Sequence, residues 1–471
     1  MGTKITRSAI LVLFLIIVLA ALVRFSPGLA GSMGGPDPHF HTRMAELVVS
    51  GEGVPVYDAL SNQGRWYTYA PLYHLMYALL GIFSGLPVKG LVNFFPVLYG
   101  CAGVLLVFIF ARRLFGVRAG VFAALALAVM SMHIVRTASY SRPDGLALLI
   151  VPAALYLLYT QRFKAAALLS VVQVLLHPLS TAYLLTLMIA IMAVHRVKGE
   201  TLEYKKYAGI IVLTVAVFLS WLLTRAYPIE LYLSDVSYSS AELSALSLLS
   251  ILMYFTFSWI FIILGVFKLP ERGKYFLLAW FVYTLLFAVL GFRLAIFLSI
   301  PAAIIAGWGL LTVEQALSKY KIVFYALLLL LAGISIGGDI YNDAKYINTG
   351  ERAAMLWLRD YTDENATIAA SWDRGHPLTY YAQRKVLIDG YFEFAPGLDE
   401  RLEVMETLIS TADCGKISEA VQDYGIDYFY VHTSALGRRN YMNGILEAKC
   451  EGMALVYSSE KARVFAYGQG G

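Results

Sequence analysis

The chain has 471 residues, 59% of them hydrophobic and only 15% charged, with a net charge of +5. A soluble domain carries roughly 25% charged residues, so a chain exposed to water along its whole length is excluded. The net charge itself says little, because in a membrane protein the placement of Lys and Arg matters more than their sum; no nucleic-acid partner is expected, and the oligomeric state is not readable.

The deficit of charge is uneven. Residues 1 to about 337 alternate long apolar runs with short polar joints, and the remainder reads as an ordinary soluble domain. A span needs ~20 apolar residues to cross the hydrocarbon. Spans are predicted around Ile16, Val104, Leu125, Ala153, Val171, Met188, Thr214, Ile260, Val282, Ala303 and Leu329. Alternate joints concentrate the positive charge: Lys4 and Arg7; Arg112, Arg113 and Arg118; Arg162 and Lys164; Arg196, Lys198, Lys205 and Lys206; Lys268, Arg272 and Lys274; Lys319 and Lys321. The positive-inside rule then puts the N-terminus in the cytoplasm and the C-terminal domain outside the membrane, which requires an odd number of spans, about eleven. The first segment has a second reading as a cleaved signal peptide, with Lys4 and Arg7 before the apolar core and small residues at Gly28-Leu29-Ala30. That reading leaves the other spans where they are.

The first outer loop, from about Phe25 to Lys89, opens Gly34-Gly35-Pro36-Asp37-Pro38-His39-Phe40-His41-Thr42-Arg43. Asp37 begins a helix predicted to run to about Ser50. The ordinary reading is a cap answering free N–H groups and the helix dipole. The functional one is a ligand for a divalent cation, with His39, His41 or Arg43 near a phosphate, because hard cations take carboxylates and phosphates together. After the third span comes Arg136-Thr137-Ala138-Ser139-Tyr140-Ser141-Arg142-Pro143-Asp144-Gly145. Asp144 is again either a helix cap or a ligand, and an acid beside two arginines at membrane depth is costly unless they pair or bind something. A second outer loop, about Arg225 to Ala245, holds Glu242. Arg293 interrupts an apolar run, either as a snorkelling interfacial residue or as a fork matched to a lipid phosphate.

From about Gly338 onward the pattern is that of an α/β domain of about 130 residues. Ala366–Ala370, Lys385–Ile388 and Ile426–Val431 read as buried strands, and Leu398–Ile409 and Ile417–Tyr424 as amphipathic helices. Cys414 and Cys450 both lie here, where a disulfide could persist outside the cell; with Cys101 they make no metal motif. Asn365-Ala366-Thr367 has the form of a glycosylation acceptor.

The constellation resembles the catalytic subunit of oligosaccharyltransferase, especially archaeal forms, within the GT-C-fold glycosyltransferases. Gly35 to Arg43 looks like that family's first acidic motif. Val56 to Arg65, running into Tyr69-Ala70-Pro71-Leu72, is similar to the later part of the same loop in that family. Arg136 to Asp144 falls where the second acidic motif stands. Ser371-Trp372-Asp373-Arg374-Gly375-His376, with Tyr380 to Val386 after it, resembles the signature Trp-Trp-Asp-Tyr-Gly, with Ser for the first Trp and Arg for the Tyr. The resemblance implies a polytopic α-helical membrane protein of GT-C type, residues 1–337 with the long loop 25–89, followed by an extracytoplasmic α/β domain, residues 338–471. It implies transfer of a glycan from a polyprenyl- or dolichyl-linked (pyro)phosphate donor to asparagine of an acceptor protein. A divalent metal, Mn²⁺ or Mg²⁺, would be held by Asp37, Asp144 and Glu242, the donor phosphate by Arg293, His39 and His41, and the acceptor's Ser or Thr by Trp372 and Asp373.

Against the family, the chain is short, has about eleven spans where thirteen are usual, lacks an acidic-plus-lysine helix motif, and fits the third acidic motif at Glu242 only loosely. A GT-C transferase moving one sugar from a polyprenyl monophosphate to a lipid, glycan or protein hydroxyl is the alternative. A transporter would show repeats and broken helices at the midplane, which the chain does not. A binding homologue without catalysis is a further alternative, given the altered tryptophan motif.

Overall fold

The computed structural model describes residues 5–25, 33–67, 69–138, 141–224, 254–255, 257–290, 295–342, 346–392, 395–432 and 442–468. These fall into two compact units. One draws on the N-terminal helix and the described residues from 93 to 342, the other on residues 33–92 together with 346–468. The expected boundary at 337/338 is therefore corrected: the long first loop is built into the same unit as the C-terminal residues.

The first unit is all helix. Every predicted span centre falls inside one: Ile16 in Arg7–Phe25, Leu125 in Val117–Ala128, Ala303 in Ser299–Ala316, Leu329 in Lys321–Asn342, and the others likewise. Among the described residues 6 helices are long and apolar enough to cross a membrane, or 7 with the pair Val117–Ala128 and Ser131–Thr137, which bends by 64°. Five further apolar helices among the described residues are shorter, 10–17 residues each. Phe163–Leu176 has 14 residues and so rises about 21 Å, against a hydrocarbon thickness of about 30 Å.

Burial sorts the helices by role. The apolar window of Ile296–Ala316 is 83% buried, while those of Arg7–Phe25 and Ser318–Ser335 are 22% buried, leaving Ile322, Leu329 and Ile334 exposed as a lipid-facing stripe. Helix Ser258–Phe267 approaches Ser299–Ala316 so closely that a Cβ on Gly309 would lie 2.0 Å from the Phe261 carbonyl oxygen, so only glycine fits. At the 64° bend, Arg24 supplies what the broken helix lacks. Its fully buried guanidinium donates to the carbonyls of Ala128 (3.0 Å), Leu127 (3.4 Å) and Ala20 (3.1 Å) and to the Thr137 hydroxyl (2.8 Å). The last carbonyls of a helix have no partner of their own, and a buried cation needs acceptors.

The second unit carries a mixed five-stranded sheet. Its strands are β3 (Thr367–Ala369), β4 (Lys385–Val386), β5 (Tyr428–His432), β6 (Met453–Ser458) and β7 (Ala462–Tyr467), after the short hairpin β1 (Tyr57–Asp58) and β2 (Arg65–Trp66). The order is β4-β3-β5-β7-β6, parallel across β4, β3 and β5 and antiparallel through β7 and β6. β5 is buried throughout, as a strand covered on both faces must be. Tyr428 and Tyr430 join Met355, Leu358 and Leu378 on one side, and Phe429 and Val431 join Leu408 and Ile417 on the other.

The predicted strands and the helices Leu398–Ser410 and Cys414–Tyr424 are present. The stretch after Ser371 is helix Trp372–Tyr381, and Thr349–Tyr361 is a helix closed by a capping box of Asn348 and Glu351. The first loop is tied to the sheet edge: Val386 N–H donates to the Leu60 carbonyl (3.0 Å), and Asp389 N–H to Asn62 Oδ1 (2.9 Å). Thr367 is buried in β3, so the Asn365-Ala366-Thr367 pattern is closed off in the folded chain.

Cys414 and Cys450 form a disulfide, 36 residues apart. Loop-closure entropy assigns such a bridge about 3–4 kcal/mol. Reducing it, or replacing Cys450 by Ala, should lower the unfolding free energy of the unit by that amount in urea titrations; a loss below about 1 kcal/mol contradicts the prediction.

Candidate functional site

In the second unit Asp37 stands at the first position of helix Asp37–Val49, and the cap position itself is taken by Pro36, which offers no side-chain acceptor. The expected capping role is thus moved off Asp37. Its side chain is buried, 6% exposed. Gly390 packs closely beside it: a Cβ there would sit 2.9 Å from His376 Nε2 and 3.8 Å from Asp37 Oδ1, so glycine is required for the approach to His376. Gly375 similarly admits Asp389, whose Cα would be 2.5 Å from a Cβ there.

The two histidines expected at a phosphate also bond within the chain. His39 donates from Nδ1 to the carbonyls of Gly35 (3.1 Å) and Pro36 (3.2 Å), and burial lowers its pKa to about 3, leaving it neutral with Nε2 as an acceptor. His41 shares a hydrogen bond with His74 (2.7 Å), and its other nitrogen faces the Tyr391 hydroxyl (3.3 Å); His74 in turn bonds Tyr67. Arg43 forks onto both oxygens of Asp58. Burial would raise the Asp58 pKa, but Arg43 outweighs it and holds the carboxyl below its usual range. These contacts assemble the first loop around His39, His41 and Arg43.

In the first unit Asp144 occupies the first turn of helix Pro143–Tyr159 and is 3% exposed. The two arginines flank it as the cost of burial requires: Arg142 Nε lies 3.3 Å from Oδ1 and Arg136 3.8 Å from Oδ2. Both guanidinium groups thus pair with the one carboxylate. Glu242 and Arg293 lie outside the described residues.

Trp372 is 42% exposed, set edge-on against Phe392. Asp373 does not present a free carboxylate. Ser371 donates to its Oδ1 (2.5 Å) and Arg374 to its Oδ2 (2.7 Å), and the Tyr346 hydroxyl donates to its carbonyl (2.6 Å). Arg374 also holds buried Glu351 at 2.7 Å and lies over the Tyr346 ring at 4.5 Å. Ser371 and Arg374, the two residues by which this stretch differs from Trp-Trp-Asp-Tyr-Gly, are thus the two that bond the Asp373 carboxylate.

His432, buried at the end of β5, has its pKa lowered to about 4, by burial first and by Arg374 second, against the opposing pull of Asp373. An unfolded histidine titrates near 6.5. Between these values the unfolded chain takes a proton that the folded one refuses, so the stabilisation is complete above pH 6.5 and is lost as the pH falls toward 4. Across that window the wild-type melting temperature should fall more than that of His432→Gln; parallel curves would remove His432 as a cause.

The residues that sequence reasoning leaves without a role are His376, Asp389, Gly390 and Arg24. Their signal is present in part: His376 ends the quoted tryptophan motif, and Arg24 is a lone cation closing an apolar run.

No family model matches the chain. Among curated proteins it is similar to dolichyl-phosphooligosaccharide-protein glycotransferase 2 of Pyrococcus furiosus, 28% identical over 98 residues, 20% of this chain and 13% of that one; the match spans only that fraction of the relative's length. Among solved structures it is similar to the Archaeoglobus fulgidus oligosaccharyltransferase in its apo form, with a TM-score of 0.72, 14% identity, and coverage of 90% of this chain and 69% of that chain. That enzyme is also solved with Zn and sulfate and, as AglB, with an inhibitory peptide and a dolichol-phosphate. ArnT from Cupriavidus metallidurans bound to undecaprenyl phosphate matches with a TM-score of 0.62, 14% identity and 97% of both chains. The chain thus has the GT-C fold of polytopic membrane proteins.

Proposed function

We propose that this chain is a multi-pass membrane glycosyltransferase that takes a glycan from a polyprenyl-(pyro)phosphate carrier and, in the manner of oligosaccharyltransferases, passes it to asparagine of an acceptor protein. The observation that carries this is the fold: over 90% of its length the chain superposes on an enzyme solved with a dolichol-phosphate, and over 97% on one solved with undecaprenyl phosphate. The C-terminal domain and first loop face outward, by the distribution of Lys and Arg.

A divalent metal, Mn²⁺ or Mg²⁺, fits the donor chemistry. Asp37 in the one unit and Asp144 in the other are the carboxylates proposed to hold it, with Glu242 as the third candidate; among the described residues no three such side chains lie together. Bound there, the metal would neutralise negative charge developing on the leaving phosphate. Arg136 and Arg142 hold Asp144 in place and add positive charge that favours an anionic lipid headgroup; Arg293 is the further arginine proposed for the phosphate. Trp372 offers an exposed aromatic face to the acceptor.

A second reading, transfer of a single sugar from a polyprenyl monophosphate to a hydroxyl acceptor, is favoured by the engagement of Asp373 with Ser371 and Arg374, which leaves a sequon hydroxyl without its acceptor. The two are separated by incubating the purified protein with Mn²⁺, lipid extract from its source and a fluorescent Asn-X-Thr peptide. A metal-dependent mobility shift that vanishes when Asn becomes Gln supports asparagine transfer. No shift, with a charged donor present and a known enzyme active in the same extract, moves the acceptor to a hydroxyl.

A further inference from the structure

Lys89 stands in the first turn of helix Val88–Phe115. Its Nζ lies 5.7 Å from the centre of the Tyr381 ring, and the Arg352 guanidinium lies 5.4 Å from the same centre. The ring is a fixed platform. It is buried, and Tyr380 at 4.8 Å and His39 at 5.4 Å meet it edge-on. Glu46, the acid of this group, accepts a hydrogen bond from the Tyr380 hydroxyl at 3.4 Å. Among the described residues, no carboxylate forms an ion pair with Lys89 or Arg352.

The two cations lie close enough to repel each other. A contact between a cation and a ring is weak where water reaches it, so Tyr381 alone does not offset that repulsion. An anion that joins the two would. The start of a 28-residue helix adds the positive end of its dipole at the same place. Val88–Phe115 is also long and apolar enough to cross a membrane, so Lys89 stands where the chain enters the bilayer. The anionic groups at that depth are lipid phosphates, and a guanidinium fork beside a compact ammonium suits their oxygens.

We propose that Lys89 and Arg352, set on the Tyr381 ring, bind the phosphate of a membrane lipid where helix Val88–Phe115 begins. The site lies outside the acids and arginines assigned to transfer. It stands whether or not the chain transfers a glycan, because binding is read without turnover.

The test uses the full-length protein in detergent at low ionic strength. Calorimetric titration reads the affinity for geranylgeranyl phosphate, dihexanoyl phosphatidylglycerol and inorganic phosphate. The wild type should bind at least one of the lipids, and inorganic phosphate far more weakly. Lys89→Gln and Arg352→Gln should each weaken lipid binding about 5-fold, and together about 30-fold, the usual effect of basic residues at a membrane surface. Lys89→Arg should bind as the wild type does. Arg352 is exposed, so its variant carries the test if melting curves show that Lys89→Gln does not fold. A preference for geranylgeranyl phosphate assigns the site to an isoprenoid carrier, and one for phosphatidylglycerol to the bulk lipid. Equal affinity for inorganic phosphate overturns the lipid source. Lipid binding unchanged in the double variant, or no binding of any probe, overturns the proposal.

Discussion

Replacing Asp37 by Asn should reduce glycosyl transfer by about three orders of magnitude, with little change in the unfolding temperature. Asparagine keeps the shape of the side chain and removes its charge. Asp37 stands in the first helical turn, where loss of the favourable charge–dipole term is worth under about 1 kcal/mol. Asparagine keeps the hydrogen-bonding shape of the side chain there, while the negative charge proposed to hold a cation is gone. Turnover measured over a metal titration, alongside a melting curve, checks both halves. Full turnover of the variant at saturating metal sinks the assignment; a collapsed melting curve would show that Asp37 is structural.

Arg374→Met should produce the largest loss of stability, about 3–5 kcal/mol, because it strands buried carboxylates without their cation. Arg374 holds Glu351 at 2.7 Å and Asp373 at 2.7 Å, and the Glu351 side chain is only 2% exposed. Methionine fills the space yet offers no donor. Burial already raises the Glu351 pKa, and without Arg374 it should rise further, so the variant should regain stability as the pH is lowered and Glu351 protonates. Adding Glu351→Gln should restore part of the loss. Urea denaturation at two pH values decides it; a loss under about 1 kcal/mol would mean that the pair is replaceable.

Much of the fold is legible because its signals are local. An apolar run of ~20 residues names a span by transfer free energy alone, and every predicted centre lies in a helix. The strand Tyr428–His432 is apolar or aromatic on both faces, which only a covered strand sustains. Where helices end is less legible: Phe163–Leu176 stops before Pro178, and the next helix is capped by His177, which accepts from Ser180 N–H at 3.2 Å. A hydropathy run does not record such a break.

The candidate site divides in the same way. Asp37 and Asp144 are legible because an acid at the edge of an apolar segment is expensive, and that expense is visible residue by residue. The fate of their neighbours is not. His39, His41 and Arg43 read as phosphate ligands, yet their hydrogen bonds end on Gly35, His74, Tyr391 and Asp58.

By itself, then, the sequence determined that the chain is a membrane protein, where its apolar helices lie, which β-strands are buried, and which acids are costly, since burial of apolar area and exposure of charge are additive along the chain. Tertiary structure alone decided that the first loop joins the C-terminal sheet, that Ser371 and Arg374 bond Asp373, and that His376 is packed between Asp389 and Gly390. The first of these joins residues hundreds of positions apart, such as Ser61 with Asp389, and in all of them a hydrogen bond depends on which partner the fold delivers within about 3 Å.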